Sequence, residues 1–189
     1  MKNTVVNWNA GFPENVLTDP VQIFAAEYFR VLVTGRYRSD GMLCVEIVNR
    51  MKRKTTGVQE LDTSNALGVP LDGEWHWQTT MTEVTAWAPL PEATDPRWIQ
   101  CSLKLPEEVE TVFNFGRMKL LSVMTLSEVF RDELEVRLTN RMCVEATGIP
   151  YLDEMATDGW IWSENAGDVK AWMSFPEPAQ INKKQEEVK

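Results

Sequence analysis

Leu43-Cys44-Val45-Glu46-Ile47-Val48-Asn49-Arg50-Met51 recurs 91 positions later as Leu134-Glu135-Val136-Arg137-Leu138-Thr139-Asn140-Arg141-Met142, with Asn-Arg-Met identical in both. At the same offset Thr56-Gly57-Val58-Gln59-Glu60-Leu61-Asp62 matches Thr147-Gly148-Ile149-Pro150-Tyr151-Leu152-Asp153. Two blocks kept in one register mark an internal repeat, and a fixed period changes the meaning of every other motif. Upstream, Trp8 with Phe12-Pro13-Glu14-Asn15-Val16 resembles Trp98 with Leu105-Pro106-Glu107-Glu108-Val109, across a longer spacer in the second copy. Downstream the offset falls to 85, where Trp75-His76-Trp77 matches Trp160-Ile161-Trp162. Val84-Thr85-Ala86-Trp87 with Pro91-Glu92 likewise matches Val169-Lys170-Ala171-Trp172 with Pro176-Glu177. All eight tryptophans fall into pairs: 8 with 98, 75 with 160, 77 with 162 and 87 with 172. The chain reads as a tandem duplication, with a first unit over residues 1–95, a second over 96–179 and a flexible polar tail over 180–189.

Tyr28 to Tyr37 is rich in β-branched and aromatic residues, Arg38-Ser39-Asp40-Gly41 supplies a turn, and Met42 to Val48 returns, which predicts a hairpin. Leu134, Val136 and Leu138 alternate with charged and polar neighbours, the period of a half-buried strand. A helix competes there, because Leu134, Leu138 and Met142 also recur every four residues and Thr125-Leu126-Ser127-Glu128 has the form of a capping box. The segments from Gly73 to Trp77 and from Gly159 to Trp162 place paired aromatics on one strand face, and strands through Trp87 and Trp172 stop at prolines, which cannot continue a ladder. The expected fold class is α+β and β-rich: two tandem copies of a small, mostly antiparallel sheet with a short helix. Duplication of a dimer-forming ancestor would relate the copies by a pseudo-two-fold axis. The offset change places the break in symmetry, and the origin of specificity, in the loops Thr63 to Asp72 and Glu154 to Asp158.

The chain carries 28 acids against 19 bases, and the surplus is shared, −4 before residue 96 (8 bases, 12 acids) and −5 after it (11 bases, 16 acids). Such a balance opposes direct nucleic-acid binding and attraction to anionic lipid. Lys52-Arg53-Lys54 is the one basic run, short enough for a solvated loop. No stretch reaches the length of a membrane span and Met1 to Ala10 lacks the pattern of a signal peptide, so a cytoplasmic location is expected. Cys44, Cys101 and Cys143 are odd in number, lack C-x-x-C spacing and sit at unmatched places, which argues against disulfides and a zinc cage.

A catalytic triad would need His76, the only histidine, whose counterpart is Ile161. No phosphate-binding glycine motif and no EF-hand spacing occurs. Adjacent carboxylates such as Glu107 with Glu108 or Asp132 with Glu133 point to opposite faces of a strand and read as solvated charge. No catalytic residue, metal or cofactor is therefore expected. Trp serves both as core residue and as binding anchor. Duplication favours core for at least six of the eight. The candidate binding residues are Trp75, Trp77, Trp160 and Trp162, able to line a pocket between the halves, with Glu92 and Glu177 of the Pro-Glu closings, which also read as strand terminators.

The second copy opens W-I-x-C-S-x-K-L-P-E-E at Trp98 and closes V-x-A-W-M-x-F-P-E-P around Trp172. It resembles the phage and prophage family known as domain-of-unknown-function family 551, whose members open W-I-x-V-x-x-x-L-P and close W-M-P-L-P-E-P. Trp98, Ile99, Leu105, Pro106 and Glu107 carry the opening, and Trp172, Met173, Pro176, Glu177 and Pro178 the close. The first copy keeps Trp87, Pro89, Leu90, Pro91 and Glu92, but its opening at Trp8 is degenerate. The resemblance implies a small bacteriophage accessory protein and offers no catalytic residues. The expected function is a non-enzymatic phage protein in the host bacterial cytoplasm that binds a host protein or complex, such as an inhibitor of a defence system of the anti-CRISPR or anti-restriction type. The alternatives are a nucleotide or small-ligand sponge using the paired tryptophans, and an acidic DNA mimic.

Overall fold

A computed structural model gives the fold and describes residues 6–37, 41–108, 110, 112–130, 133–163 and 166–179. The expected tail over 180–189 and the turn residues Arg38, Ser39 and Asp40 lie outside the described residues. The chain forms two compact units with bodies Val6–Leu90 and Pro91–Glu177. Pro91 and Glu92, read from the sequence as the close of the first copy, belong to the second unit, where Trp98 Nε1 donates to the Glu92 carbonyl at 2.8 Å.

The first unit is an antiparallel sheet of β1 (Val21–Ile23), β2 (Ala26–Tyr37), β3 (Leu43–Arg53), β4 (His76–Gln78) and β5 (Met81–Pro89). The predicted hairpin is β2 with β3, in register from Ala26 opposite Arg53 to Arg36 opposite Leu43. On its outer side β3 pairs β4, while the free edge of β2 is shared by β1 at residues 26–28 and β5 at residues 31–37. The second unit repeats this order with β7 (Phe113–Phe115), β8 (Met118–Phe130), β9 (Glu133–Val144), β10 (Ile161–Trp162) and β11 (Asp168–Ser174). There β8 pairs β9, β9 pairs β10, and β7 and β11 share the free edge of β8. The short β6 (Ile99–Gln100) sets Ile99 opposite Trp172, and the first unit keeps one bridge at the matching place, Asn9 opposite Trp87.

Registers correspond closely. Ala26 opposite Arg53 answers to Met118 opposite Val144, so β2 maps to β8 at an offset of 92 (118 less 26) and β3 to β9 at 91 (144 less 53). The single-residue difference is absorbed between the two strands. Both units carry a β-bulge at the same point: Thr85 is extra opposite Thr34 and Gly35, and Lys170 is extra opposite Leu126 and Ser127.

The protein is β-rich, with 47% of residues in strands and 9% in helix, so the α part of the expected α+β class shrinks to very little. Its named elements are α1 (Gln59–Thr63) and single-turn 3-10 segments at Pro13–Asn15, Pro106–Glu108 and Pro150–Leu152. The competing helix is overturned. Thr125-Leu126-Ser127-Glu128 lies inside β8 with Thr125, Leu126 and Ser127 buried, and Leu134 to Met142 pairs with β8 along its length as part of β9.

Each core is centred on one tryptophan. Trp87, 1% exposed, packs with Phe29, Val31, Val33, Val48 and Met81, and Trp172, 0% exposed, with Leu121 and Val123, the β8 counterparts of Phe29 and Val31. Trp75 and Trp77 pack against the first cluster and Trp160 and Trp162 against the second, so six of the eight tryptophans adjoin these cores. Small units need such large side chains to bury enough area.

The equivalent tryptophans differ at one atom. Trp172 Nε1 donates to the Lys104 carbonyl at 2.8 Å, whereas Trp87 Nε1 is buried with no acceptor among the described residues. Lys104 lies in the spacer between Trp98 and Leu105, and the first copy allots only Asn9, Ala10 and Gly11 to the equivalent span. A buried donor without a partner costs about 1 to 3 kcal/mol. Trp87→Ala and Trp172→Ala should each destabilise by about 3 to 5 kcal/mol in urea unfolding. Trp87→Phe, by contrast, should cost about 1 to 2 kcal/mol less than Trp172→Phe, since it removes an unsatisfied donor rather than a made bond. Equal losses for the two phenylalanine variants would show that the Trp87 N–H is satisfied in solution.

Candidate functional site

The residues that recur most strictly meet in space. In the first unit the 3-10 turn at Pro13–Asn15 presents Glu14 to Arg50 of β3: Nε donates to Oε1 at 3.1 Å and Nη2 to Oε1 at 2.7 Å, with Nε also 3.2 Å from Oε2. Phe12 and Trp77 supply ring faces to the same guanidinium, their centroids 4.5 and 5.0 Å from Cζ. In the second unit Arg141 donates from Nε to Glu107 Oε2 at 3.1 Å and from Nη2 to Oε1 at 3.0 Å, with the Trp162 ring 4.9 Å from Cζ. All four charged side chains are largely withdrawn from water, 9% and 16% exposed in the first pair and 10% and 12% in the second. The arginine of Asn-Arg-Met and the glutamate of the opening turn thus form one buried, two-toothed ion pair on an aromatic plate, suited to a planar guanidinium and not to lysine.

The second recurring block closes a loop. Asp62 accepts from the Thr56 amide at 2.9 Å, the Thr56 hydroxyl at 2.7 Å and the Gly57 amide at 3.1 Å. Asp153 accepts from the Thr147 amide, the Thr147 hydroxyl and the Gly148 amide, each at 2.8 Å. Gly57 and Gly148 take φ of 79° and 81°, which explains glycine after threonine in both copies. The Thr56 amide and then its hydroxyl hold the Asp62 carboxyl below the usual carboxylate range, and the Thr147 amide does the same for Asp153. Different arginines anchor the two loops: Arg53 donates to the Leu61 carbonyl at 2.7 Å, and Arg117 donates to the matching Leu152 carbonyl and pairs with Asp153 at 3.1 Å.

Trp75 stacks on Phe29 with centroids 5.2 Å apart and carries Lys52 Nζ 5.3 Å from its own ring, and Trp77 lies under Arg50. Trp162 lies under Arg141, and Trp160 is half-buried against the core of the second unit. Trp75 and Trp77 thus pack on the core of the first unit, and Trp160 and Trp162 on that of the second. Glu92 and Glu177 are exposed. His76 Nε2 lies 2.8 Å from Asp72 Oδ2 near the surface, on the face of β4 opposite Trp77. The three cysteines are free, and burial pushes the Cys101 thiol up. Among the described residues no group of three His, Cys, Asp or Glu is placed to hold a metal ion.

Sequence reasoning missed an exposed apolar set. Val21 and Ile23 of β1 are exposed, as are their register counterparts Phe113 and Phe115 of β7. Val58 and Leu61 in the first loop are exposed, as are Ile149 and Leu152 in the second. The recurrence of apolar residues at these four positions was the available signal.

Two outcomes follow from this geometry. Glu107→Ala should destabilise by about 3 to 5 kcal/mol by leaving Arg141 buried without its partner, and Glu107→Ala with Arg141→Met should be more stable than Glu107→Ala alone. Additive losses would show that the pair is not coupled. Because Asp62 and Asp153 titrate lower when folded than when unfolded, their contribution is complete above about pH 5 and is lost as pH falls below about 4. The Asp62→Asn, Asp153→Asn variant should therefore show a flatter acid limb of stability than the wild type, and an unchanged limb would remove both loops from the linkage.

No protein family, curated protein or solved structure matches this chain.

Proposed function

We propose that this is a non-enzymatic binding protein, built by tandem duplication, that acts in the cytoplasm of a bacterial host as a phage or prophage accessory protein. In this reading it engages a host protein or complex, in the manner of an inhibitor of a defence system of the anti-CRISPR or anti-restriction type. Common strand order, a common bulge and matching ion pairs support the duplication. The setting rests on the resemblance of the Trp98 and Trp172 motifs to family 551.

One observation carries the binding reading: recurring polar residues hold the fold together, and recurring apolar residues are left on the surface at four equivalent positions. Arg50, Glu14, Arg141, Glu107, Asp62 and Asp153 all spend their hydrogen bonds inside the scaffold. Exposed apolar side chains at equivalent places in two diverged copies are the mark of an interaction surface. The ligand-sponge alternative has less support, because Phe29, Lys52, Arg50 and Arg141 already cover ring faces of Trp75, Trp77 and Trp162. A DNA mimic has less support, because the chain's 28 acids are diluted by 19 bases.

Affinity-tagged protein isolated from host lysate should recover a host protein in stoichiometric amount. Recovery of no protein, together with a nucleotide or metabolite in the native mass spectrum, would transfer support to the ligand-binding alternative.

A further inference from the structure

Phe113 and Phe115, 60% and 57% exposed, stand on β7, which among the described residues pairs β8 alone. Phe115 opposite Met118 closes a hairpin through Gly116 and Arg117. The alternation of an antiparallel ladder then turns the Asn114 N–H and C=O away from β8, towards the side on which β7 has no partner strand among the described residues. The same end of the sheet gathers a second segment. Arg117 in the hairpin turn holds the Leu152 carbonyl and Asp153, and Thr157 hydrogen-bonds both the amide and the carbonyl of Val144, opposite Met118. This brings Ile149, Tyr151 and Met155 to the β7 end of the sheet, with Tyr151 73% and Met155 71% exposed.

The charge around this apolar end is unbalanced. Its cations are spent, Arg117 on Asp153 and Lys119 on Glu145. Glu154 and Asp158, exposed on either side of the Met155 segment, have no cationic partner among the described residues. An apolar surface bordered by unpaired carboxylates repels nucleic acid and anionic lipid and complements a basic, apolar polypeptide.

We infer that the open edge of β7, with Ile149, Tyr151 and Met155 beside it, docks an extended segment of a partner protein that alternates apolar side chains with lysine or arginine. The main chain of the segment adds to Asn114, its apolar side chains cover Phe113 and Phe115, and its cations meet Glu154 and Asp158. This rests on the binding reading above and names its surface and its partner chemistry.

The probe is a short peptide alternating leucine and lysine, titrated into the full chain and followed by amide chemical shifts. Shifts should concentrate in residues 112–117 and 149–158 and weaken as salt is raised. A peptide of the same composition at helical spacing, and one alternating leucine and glutamate, should leave these residues unmoved. Phe113→Ser with Phe115→Ser should keep the far-ultraviolet spectrum and melting point and weaken binding about tenfold or more. Tyr151→Ser, outside the sheet, should weaken it with no strand altered. Shifts centred elsewhere, equal binding of the leucine–glutamate peptide, or unchanged affinity in both variants overturns the inference. The host-lysate capture separates it from the broader reading. A host protein retained equally by wild type and the Phe113, Phe115 variant rejects this surface while binding stands. A host protein lost only by the variant supports both. No host protein in either, with the peptide still bound at β7, supports the surface and rejects the host-protein reading.

Discussion

The guanidinium of Arg50 is where three parts of the first unit meet: the hairpin that carries it, the opening turn that supplies Glu14 and Phe12, and β4, which supplies Trp77. Arg141, Glu107 and Trp162 repeat the arrangement in the second unit. Taking two charges out of water costs several kcal/mol per ion, so such a pair is not by itself a large source of stability. Its effect is on specificity. The paired hydrogen bonds to arginine fix the orientation of the opening turn, with Pro13 or Pro106 buried beneath it. Once that segment is fixed, the half-buried tryptophans have a defined partner on one ring face.

The tryptophan at the centre of each core is placed by the sheet, whereas the hydrogen bond of the Trp172 indole nitrogen comes from the opening segment. The second unit has six residues between Trp98 and Leu105, enough to bring the Lys104 carbonyl back over Trp172. Three residues separate Trp8 from Phe12, and the first unit keeps the packing of Trp87 without the hydrogen bond. Packing tolerates a shortened connection because dispersion is non-directional. A hydrogen bond needs one atom in one place.

The hairpins were legible because period-two alternation and a turn sequence are local signals. The Asn-Arg-Met and Thr-Gly-Leu-Asp matches likewise pointed to equivalent positions before any geometry was known. What those residues do was not legible. The partner of Arg50 lies 36 residues upstream, and nothing in spacing or periodicity links a Pro-Glu turn to a β3 arginine. The rival helix over Leu134 to Met142 failed for the same non-local reason: a thirteen-residue β8 was available to pair the segment along its length. The paired tryptophans drew attention as binding residues, since aromatics suggest sites. Ring faces of Trp75, Trp77 and Trp162 are used against Phe29, Lys52 and the arginines, while the exposed apolar side chains include those on β1, β7 and the loops, where single apolar residues in sequence look unremarkable.

The offset change from 91 to 85 falls between Asp62 and Trp75 in the first copy and between Asp153 and Trp160 in the second. In the first unit the longer connection buries Val69, 1% exposed, against Ala26 and Met51, with Leu67 beside it. Arg53 fixes it by donating to the Val69 carbonyl at 3.2 Å, and Gln78 donates to the Leu67 carbonyl at 2.8 Å. The residue corresponding to Arg53 is Val144, which cannot donate from its side chain, and the shorter second connection instead returns through Thr157 to the Val144 main chain. No residue there is left over to lie across the sheet as Val69 does, and Met155 stays exposed. The six extra residues thus add Val69 to the first unit's packing against Ala26 and Met51, while Val21, Ile23, Val58 and Leu61 stay exposed as their counterparts do. The loops differ in length while the registers of β2 with β3 and β8 with β9 correspond, because a loop can change length without disturbing a strand ladder.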